Sequence, residues 1–235
     1  RAAAHLIADS QATQDDLVRF YHADPARITV VHLGIDGGFR PMQDPAATAA
    51  VKAQYGIDGP YLLYLGTLQP RKNLSRLIQS FARVPLGEIK LVLAGKRGWL
   101  AEDLRAQAEA AGVGARVVLP GFVDDADRPA LYSGASLFVM PSLYEGFCFP
   151  VLEAMACGTP VACSNTSSLP EVVGDAALLF DPTDMEAMTA AITQVLDNAT
   201  LRAQLIRRGL ERSATFTWER CARQTAVVLD KVYRQ

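Results

Sequence analysis

The sequence has 235 residues, half of them hydrophobic and a fifth charged, with a net charge of −2. That length can bury a substantial core as one domain or two small ones. The charge offers no basic face to nucleic acid, so any phosphate site has to be a local arrangement. Four cysteines (Cys148, Cys157, Cys163, Cys221) form no CxxC pair, and three histidines (His5, His22, His32) are scattered near the start. Neither zinc spacing nor a disulfide framework emerges, so no metal is expected and a reducing cytosol is the simplest compartment. No apolar run reaches the ~18 residues of a membrane span, and the opening does not read as a signal peptide. The chain starts at Arg1 directly before a strand-like run, the pattern of a truncated protein.

In chain order, 5–8 reads as a strand, 12–21 as a helix after the polar Ser10, and 28–32 as a second strand. A loop rich in Gly34, Gly37, Gly38, Pro41 and Pro45 follows and is the best linker candidate. After Pro60 the rhythm restarts with a strand over 61–65, a loop over 66–72, and a helix with Leu74, Leu77, Ile78 and Phe81 at i, i+3, i+4, i+7. Further strands fall at 89–94, 116–119, 137–140, 161–164 and 177–180, with helices near 100–111, 127–134 and 151–157. Three helical stretches close the chain, near 184–196, 201–213 and 218–233. Strands that are apolar on both faces require a parallel sheet covered on both sides. The expected fold class is therefore α/β, a doubly wound parallel sheet from about residue 60, with ligands bound beyond the carboxyl ends of its strands.

The loop Gly66-Thr67-Leu68-Gln69-Pro70-Arg71-Lys72-Asn73 joins a strand to an amphipathic helix. Gly66 lets the backbone approach a ligand and Pro70 fixes a turn. Arg71 and Lys72 oppose the positive end of the helix dipole unless an anion lies between them. A solvated Arg-Lys pair fits these two residues equally well on its own; agreement with other loops on the same sheet edge favours a diphosphate. GxxxxGK[ST] and strand–GxGxxG–helix patterns are absent, so neither a P-loop nor a nicotinamide or flavin cofactor is supported.

The most informative segment runs from Pro141 to Pro160. A strand ends at Met140, a glycine-containing loop follows, Pro150 suits a helix start, and Gly158 with Pro160 suits its end. Glu145 lies in the loop and Glu153 in the first turns of the helix. Carboxylates repel phosphate but match vicinal sugar hydroxyls. Either glutamate alone reads as an ordinary loop or helix-start residue. Their shared loop, together with the Arg-Lys loop, favours a sugar at one end and a ribose at the other.

Glu145 and Glu153, with seven residues between them in PSLYEGFCFPVLEAMACGTPV, resemble the EX7E motif of the retaining GT-B glycosyltransferases, family 4 (group 1). The resemblance covers almost all of the chain after residue 60, through 61–81, 91–100, 117–123, 131–160 and 167–181. It implies the Rossmann-like C-terminal domain of a GT-B fold with a remnant of the N-terminal domain: residues 1–40 end the acceptor-side domain and its linker, and 41–235 form the nucleotide-sugar-binding domain. Glu145, Arg71 and Lys72 would act at the reacting centre. The donor would be bound by Gly66, Arg71, Lys72, Gly121, Phe122, Val123, Glu145, Gly146, Phe147, Cys148, Phe149 and Glu153, the last on the ribose. Lys96 and Arg97 share that sheet edge, though a solvated loop explains them as well. Many members have Arg where Thr67 stands, and Gly and Leu where Cys148 and Phe149 stand. If positive φ is needed at Cys148, the residue is strained there; with no histidine nearby in sequence, it reads as a free structural cysteine.

The resemblance further implies a hexose transferred with retention from a nucleoside diphosphate, leaving-group charge being met by Arg71 and Lys72. No DxD-type cluster follows a strand, Asp124-Asp125 reading as a solvated pair. YLLYLGTLQPRKNL with LAGKRGWL looks most like a mannosyltransferase-type branch acting on bacterial surface polysaccharides. GDP-mannose is the favoured donor and a UDP-sugar the alternative. The acceptor is a glycan or lipid-linked sugar reached through the N-terminal domain, in the cytoplasm, with peripheral association at the inner face of the membrane left open. Two other readings stand beside this one, a non-catalytic nucleotide-sugar-binding module and a sugar-nucleotide epimerase of the same architecture. The last helix is expected to pack back toward the opening segment, and the chain alone to transfer little sugar.

Overall fold

The computed structural model describes residues 3–85, 87–98 and 103–234, and two parallel sheets organise it. The first is small: β1 (Leu6–Ala8) and β2 (Ile28–Val30) pair in parallel, joined through α1 (Gln11–Tyr21). Ser10 caps α1, its hydroxyl oxygen accepting from the Thr13 N–H, which satisfies one of the helix's free donors. From Val31 to Asp44 the chain has neither helix nor strand, as the glycines and prolines there predict.

The sequence reading sets no helix after Pro45, yet α2 (Pro45–Gln54) begins there. Asp44 accepts from the Ala46 and Ala47 N–H groups and Pro45 opens the first turn, a combination suited to a helix start. The alanine-rich segment buries no residue fully, so it lacks the apolar stripe from which helices are read.

The main sheet alternates strands and helices: β3 (Tyr61–Leu65), α3 (Leu74–Phe81), β4 (Lys90–Ala94), α4 (Leu104–Ala110), β5 (Val117–Gly121), α5 (Arg128–Ser133) and β6 (Leu137–Met140). Then come α6 (Phe149–Ala156), β7 (Val161–Ser164), α7 (Leu169–Val173), β8 (Ala177–Phe180), α8 (Met185–Asp197), α9 (Ala199–Ser213) and α10 (Trp218–Tyr233). Part of the helix expected near 100–111 lies outside the described residues; α4 itself starts after Asp103, whose carboxylate accepts from the Ala106 N–H. The five-residue α7 was not expected, being shorter than the period on which a helix pattern shows.

All six strands are parallel, in the order β5-β4-β3-β6-β7-β8. Right-handed crossovers then put α3 and α4 on one face and α5 and α6 on the other; α3 packs on α4 and α8, while α5 packs on α2 and α6. Strands β3, β6 and β7 are buried at every residue, which is why they read as unbroken apolar runs. The apolar face of α3 closes on the same core through Leu74, Leu77, Ile78 and Phe81, each worth about 1.5–3 kcal/mol of burial. Chain order reverses between β3 and β6, so the crevice beyond their carboxyl ends is the topological switch point. The start of α10 meets the linker, where the Ile35 N–H donates to the Phe216 carbonyl at 3.0 Å.

Candidate donor site at the strand switch point

The loops after β3 and β6 are tied together. Pro70 opens a single 3-10 turn, Pro70–Lys72, and Asn73 follows in the left-handed conformation. The Asn73 side-chain amide donates to the carbonyls of Pro141 (3.0 Å) and Pro182 (2.8 Å). The Leu143 N–H donates to the Arg71 carbonyl at 2.9 Å. One strand over, a Cβ on Gly95 would lie 1.9 Å from the Gly66 carbonyl oxygen, so only glycine permits the ends of β3 and β4 to approach this closely.

Glu145 is held from both sides of its backbone. Its N–H donates to the Ser167 hydroxyl at 2.8 Å, and its carbonyl accepts from the Ser168 hydroxyl at 2.9 Å. Its carboxylate receives Lys72 Nζ at 2.5 Å and the Arg71 guanidinium at 3.0 Å. Lys72 is 10% exposed in its side chain and Arg71 40%, so the first pair is dry and the second faces solvent. Arg71 also donates to the Tyr144 carbonyl. Burial works to raise the Glu145 pKa, but the charge of Lys72 and hydrogen bonds from Lys72, Ser142 and Arg71 outweigh it and hold the carboxyl below its ordinary range.

Glu153 has a separate set of partners. The Tyr132 hydroxyl donates to Glu153 Oε2 at 2.7 Å, and the Arg128 guanidinium pairs with the same oxygen. Burial, reinforced by Glu153, pushes the Tyr132 phenol well up, so it stays protonated as a donor. For Arg128 burial acts against the charged form, and Glu153 and Tyr132 overcome it, leaving the guanidinium more firmly charged. Arg128 also lies over the Phe39 ring at 5.2 Å and reaches Asp125 at 3.2 Å.

A cavity of about 300 Å³ opens at the switch point, with Gly66, Thr67, Lys96, Phe122, Val123 and Arg128 in its wall. A neighbouring cavity of about 340 Å³ shares Gly95, Lys96 and Phe122 and adds Gly121. Lys96 Nζ stands 4.4 Å over the Phe122 ring, which is half exposed at the rim between them. Lys96 is thus part of a wall rather than a freely solvated side chain. Arg97 forms a parallel bridge with Leu68, and Trp99 of the same motif lies outside the described residues.

Gly146 to Phe149 are a different case. Cys148 does take positive φ (76°) ahead of α6, a conformation costly for a residue with a Cβ. Its thiol is buried and raised well above its ordinary pKa by that burial and by Glu145, which suits a structural cysteine and not a nucleophile. The Phe147 ring packs against Phe149 (5.5 Å), Phe216 (5.9 Å) and His32 (6.2 Å), so its side chain is committed to apolar packing. The Gly146 carbonyl accepts from Ser10 Oγ at 2.6 Å, which ties the opening unit to this loop. Glu171 makes the second tie: it accepts from the Gln11 N–H at 2.8 and 2.9 Å and lies 2.6 Å from His32 Nε2.

The structure therefore gathers Arg71, Lys72 and Glu145 into one cluster, and Gly66, Phe122 and Val123 into one cavity wall, with Glu153 bonded to the wall residue Arg128. Sequence reasoning missed Arg128, Tyr132, Ser167 and Glu171. Arg128 alone left a usable signal, since it starts the helix that follows Gly121–Val123 at the same sheet edge. Among the described residues no helix is long and apolar enough to cross a membrane.

The family model for glycosyl transferases group 1 matches residues 49–212. The O-antigen chain mannosyltransferase B of Escherichia coli is 38% identical over 224 residues, covering 94% of this chain and 58% of that protein. Sucrose-phosphate synthase from Thermosynechococcus elongatus superposes with a TM-score of 0.85 at 28% identity, over 99% of this chain and 59% of its own. The Anabaena protein HepE, solved in complex with UDP and glucose, has the same fold, with a TM-score of 0.88 at 23% identity, over 97% of this chain and 64% of its own. The chain thus spans less than two thirds of the length of each of these three relatives. It belongs to the group 1 glycosyltransferases, the retaining family 4 enzymes of GT-B architecture, and carries the Rossmann-like C-terminal half of that fold.

Proposed function

We propose that this chain supplies the donor site for retaining transfer of a hexose from a nucleoside diphosphate, with mannose from GDP-mannose as the first candidate. The observation that carries the reading is the convergence of Arg71 and Lys72 on Glu145 at the switch point, beside a cavity walled by Gly66, Phe122 and Val123. The mannosyltransferase relative at 38% identity supports the choice of sugar; the UDP and glucose bound to HepE keep a UDP-sugar as the alternative.

In this reading the base lies along Gly121–Val123, the ribose hydroxyls meet Glu153, and the diphosphate meets Arg71 and Lys72. Glu145 and the Gly146–Phe149 backbone face the hexose. Arg71 and Lys72 are neutralised in part by Glu145 in the ligand-free protein, so the diphosphate competes with that carboxylate for them. As the bond from the anomeric carbon to the β-phosphate oxygen breaks, charge builds on that oxygen and the two cations stabilise it. The acceptor oxygen bonds the same face of the anomeric carbon and its proton passes to the leaving phosphate. Residues 1–40 belong to the acceptor-side domain, and a glycan or lipid-linked acceptor binds mainly through the rest of that domain, in the cytoplasm or at the inner membrane face.

Calorimetric titration of the folded chain with GDP, UDP and ADP tests this. One nucleotide is expected to bind, and both Arg71→Ala and Glu153→Ala to weaken it. Equal binding by both variants sinks the residue roles, and no binding to a folded chain sinks the donor-site reading for this chain.

A further inference from the structure

Outside the two acidic motif positions, the most unusual group in the cavity wall is Arg128. It is 21% exposed in its side chain, yet its Nε is fully buried and without a hydrogen-bond partner among the described residues. Its guanidinium is instead committed to Glu153 Oε2, the oxygen that also takes the Tyr132 hydroxyl. Both donors therefore act on one carboxylate oxygen. Glu153 Oε1 takes no hydrogen bond from any described residue. A buried carboxylate has about four lone-pair sites, and an ionised one leaves none unused without cost.

The arrangement also has the stiffness a positioning device needs. Tyr132 is fully buried, stacked edge-on against Phe138 at 5.4 Å and near Phe39 at 6.1 Å. Thr159 Oγ1 donates to the Tyr132 carbonyl at 2.6 Å, fixing its backbone too. Arg128 is clamped between the Phe39 ring and the carboxylates of Glu153 and Asp125. Neither donor can turn away without losing several contacts.

We propose that Arg128 and Tyr132 are the positioning residues of the ribose subsite. By occupying Oε2 they hold Glu153 in one orientation, leave Oε1 as the acceptor for the vicinal hydroxyls, and make Arg128 the cavity side of that subsite. This rests on the donor-site reading above. Neither residue contacts the reacting atoms; both act through Glu153.

A structural role alone would weaken every nucleotide alike, so the test is discrimination between sugars. Affinities of the chain for GDP and for its 2′-deoxy and 3′-deoxy forms are measured by calorimetry, with the UDP series used if UDP binds more tightly. The unsubstituted chain is expected to favour the intact ribose by roughly tenfold or more, the scale of one hydrogen bond to a charged group. Tyr132→Phe is expected to lower that ratio about threefold, and Arg128→Gln to bring it close to one, as Glu153→Gln does. Arg128→Lys keeps the charge and is expected to restore part of the ratio, and Tyr132→Phe, which keeps the ring, guards against an Arg128 variant that fails to fold. A ratio unchanged in both Tyr132→Phe and Arg128→Gln overturns the proposal while leaving the donor site intact. No binding of either nucleotide by the unsubstituted chain overturns the donor-site reading and this proposal with it.

Discussion

The two motif glutamates sit eight residues apart on one loop and helix, yet they are built differently. Glu145 belongs to a loop whose backbone is tied down by Ser167 and Ser168, and its carboxylate is paired with cations from the neighbouring strand end. Glu153 rides on α6 and is paired within the wall by Arg128 and Tyr132. The first pairing uses the cations expected to meet the diphosphate, so it has to open when donor binds. The second uses residues that no other role claims, so it can stay closed. In the proposed reading one carboxylate is a placeholder for charge and the other a fixed acceptor.

The comparison is broken most severely at Lys72. Lys72→Ala leaves a buried carboxylate without its drier partner and is expected to cost about 3–5 kcal/mol, read as a drop in denaturation midpoint at unchanged slope. A loss under ~1 kcal/mol would show that Glu145 finds compensation from Arg71 alone. Acid attacks the same pair. Because Glu145 titrates below its ordinary range when folded, the unfolded chain binds the proton more readily. Its contribution is therefore full above the unfolded pKa and lost as pH falls through the folded one. Unfolding followed from pH 6 to 3 should show falling stability, and that slope should flatten in Glu145→Gln.

Smaller changes sharpen the contrast. Cys148→Gly removes a Cβ from a φ of 76° and is expected to stabilise by about 1 kcal/mol, reduced by the buried packing it gives up. Thermal melting reads the sign, and a clear loss would mean the thiol packing outweighs the backbone strain. Arg71→Ala, at a 40% exposed side chain, should change stability by under ~1 kcal/mol while weakening nucleotide binding. Equal destabilisation by Arg71→Ala and Lys72→Ala would erase the distinction between the dry and the wet pair.

Much of this was legible in the sequence. The inner strands of the main sheet announce themselves because burial on both faces leaves apolar runs such as Tyr61–Leu65 and Leu137–Met140. Glycine and proline mark both candidate loops. The alanine-rich α2 and the short α7 did not show, since one lacks an apolar stripe and the other a full period. The site was legible as a set of residues but not as a set of pairs. Glu153 gives no hint of Arg128 and Tyr132, which lie 25 and 21 positions earlier. Nor does Glu171, 160 positions from Gln11, show that it caps the opening helix. Such partners are chosen by the sheet's crossovers, which bring loop ends together without any local pattern.

The central claim is that the switch point is a donor site in which the Glu145 pairing yields and the Glu153 pairing holds. A crystal structure of the chain with the tightest-binding nucleoside diphosphate tests it directly. The expected result has phosphate oxygens within hydrogen-bond reach of Arg71 and Lys72, a ribose hydroxyl on Glu153 Oε1, and Oε2 still held by Arg128 and Tyr132. A nucleotide bound with Arg71 and Lys72 still committed to Glu145 alone, or bound away from the crevice between β3 and β6, would contradict it.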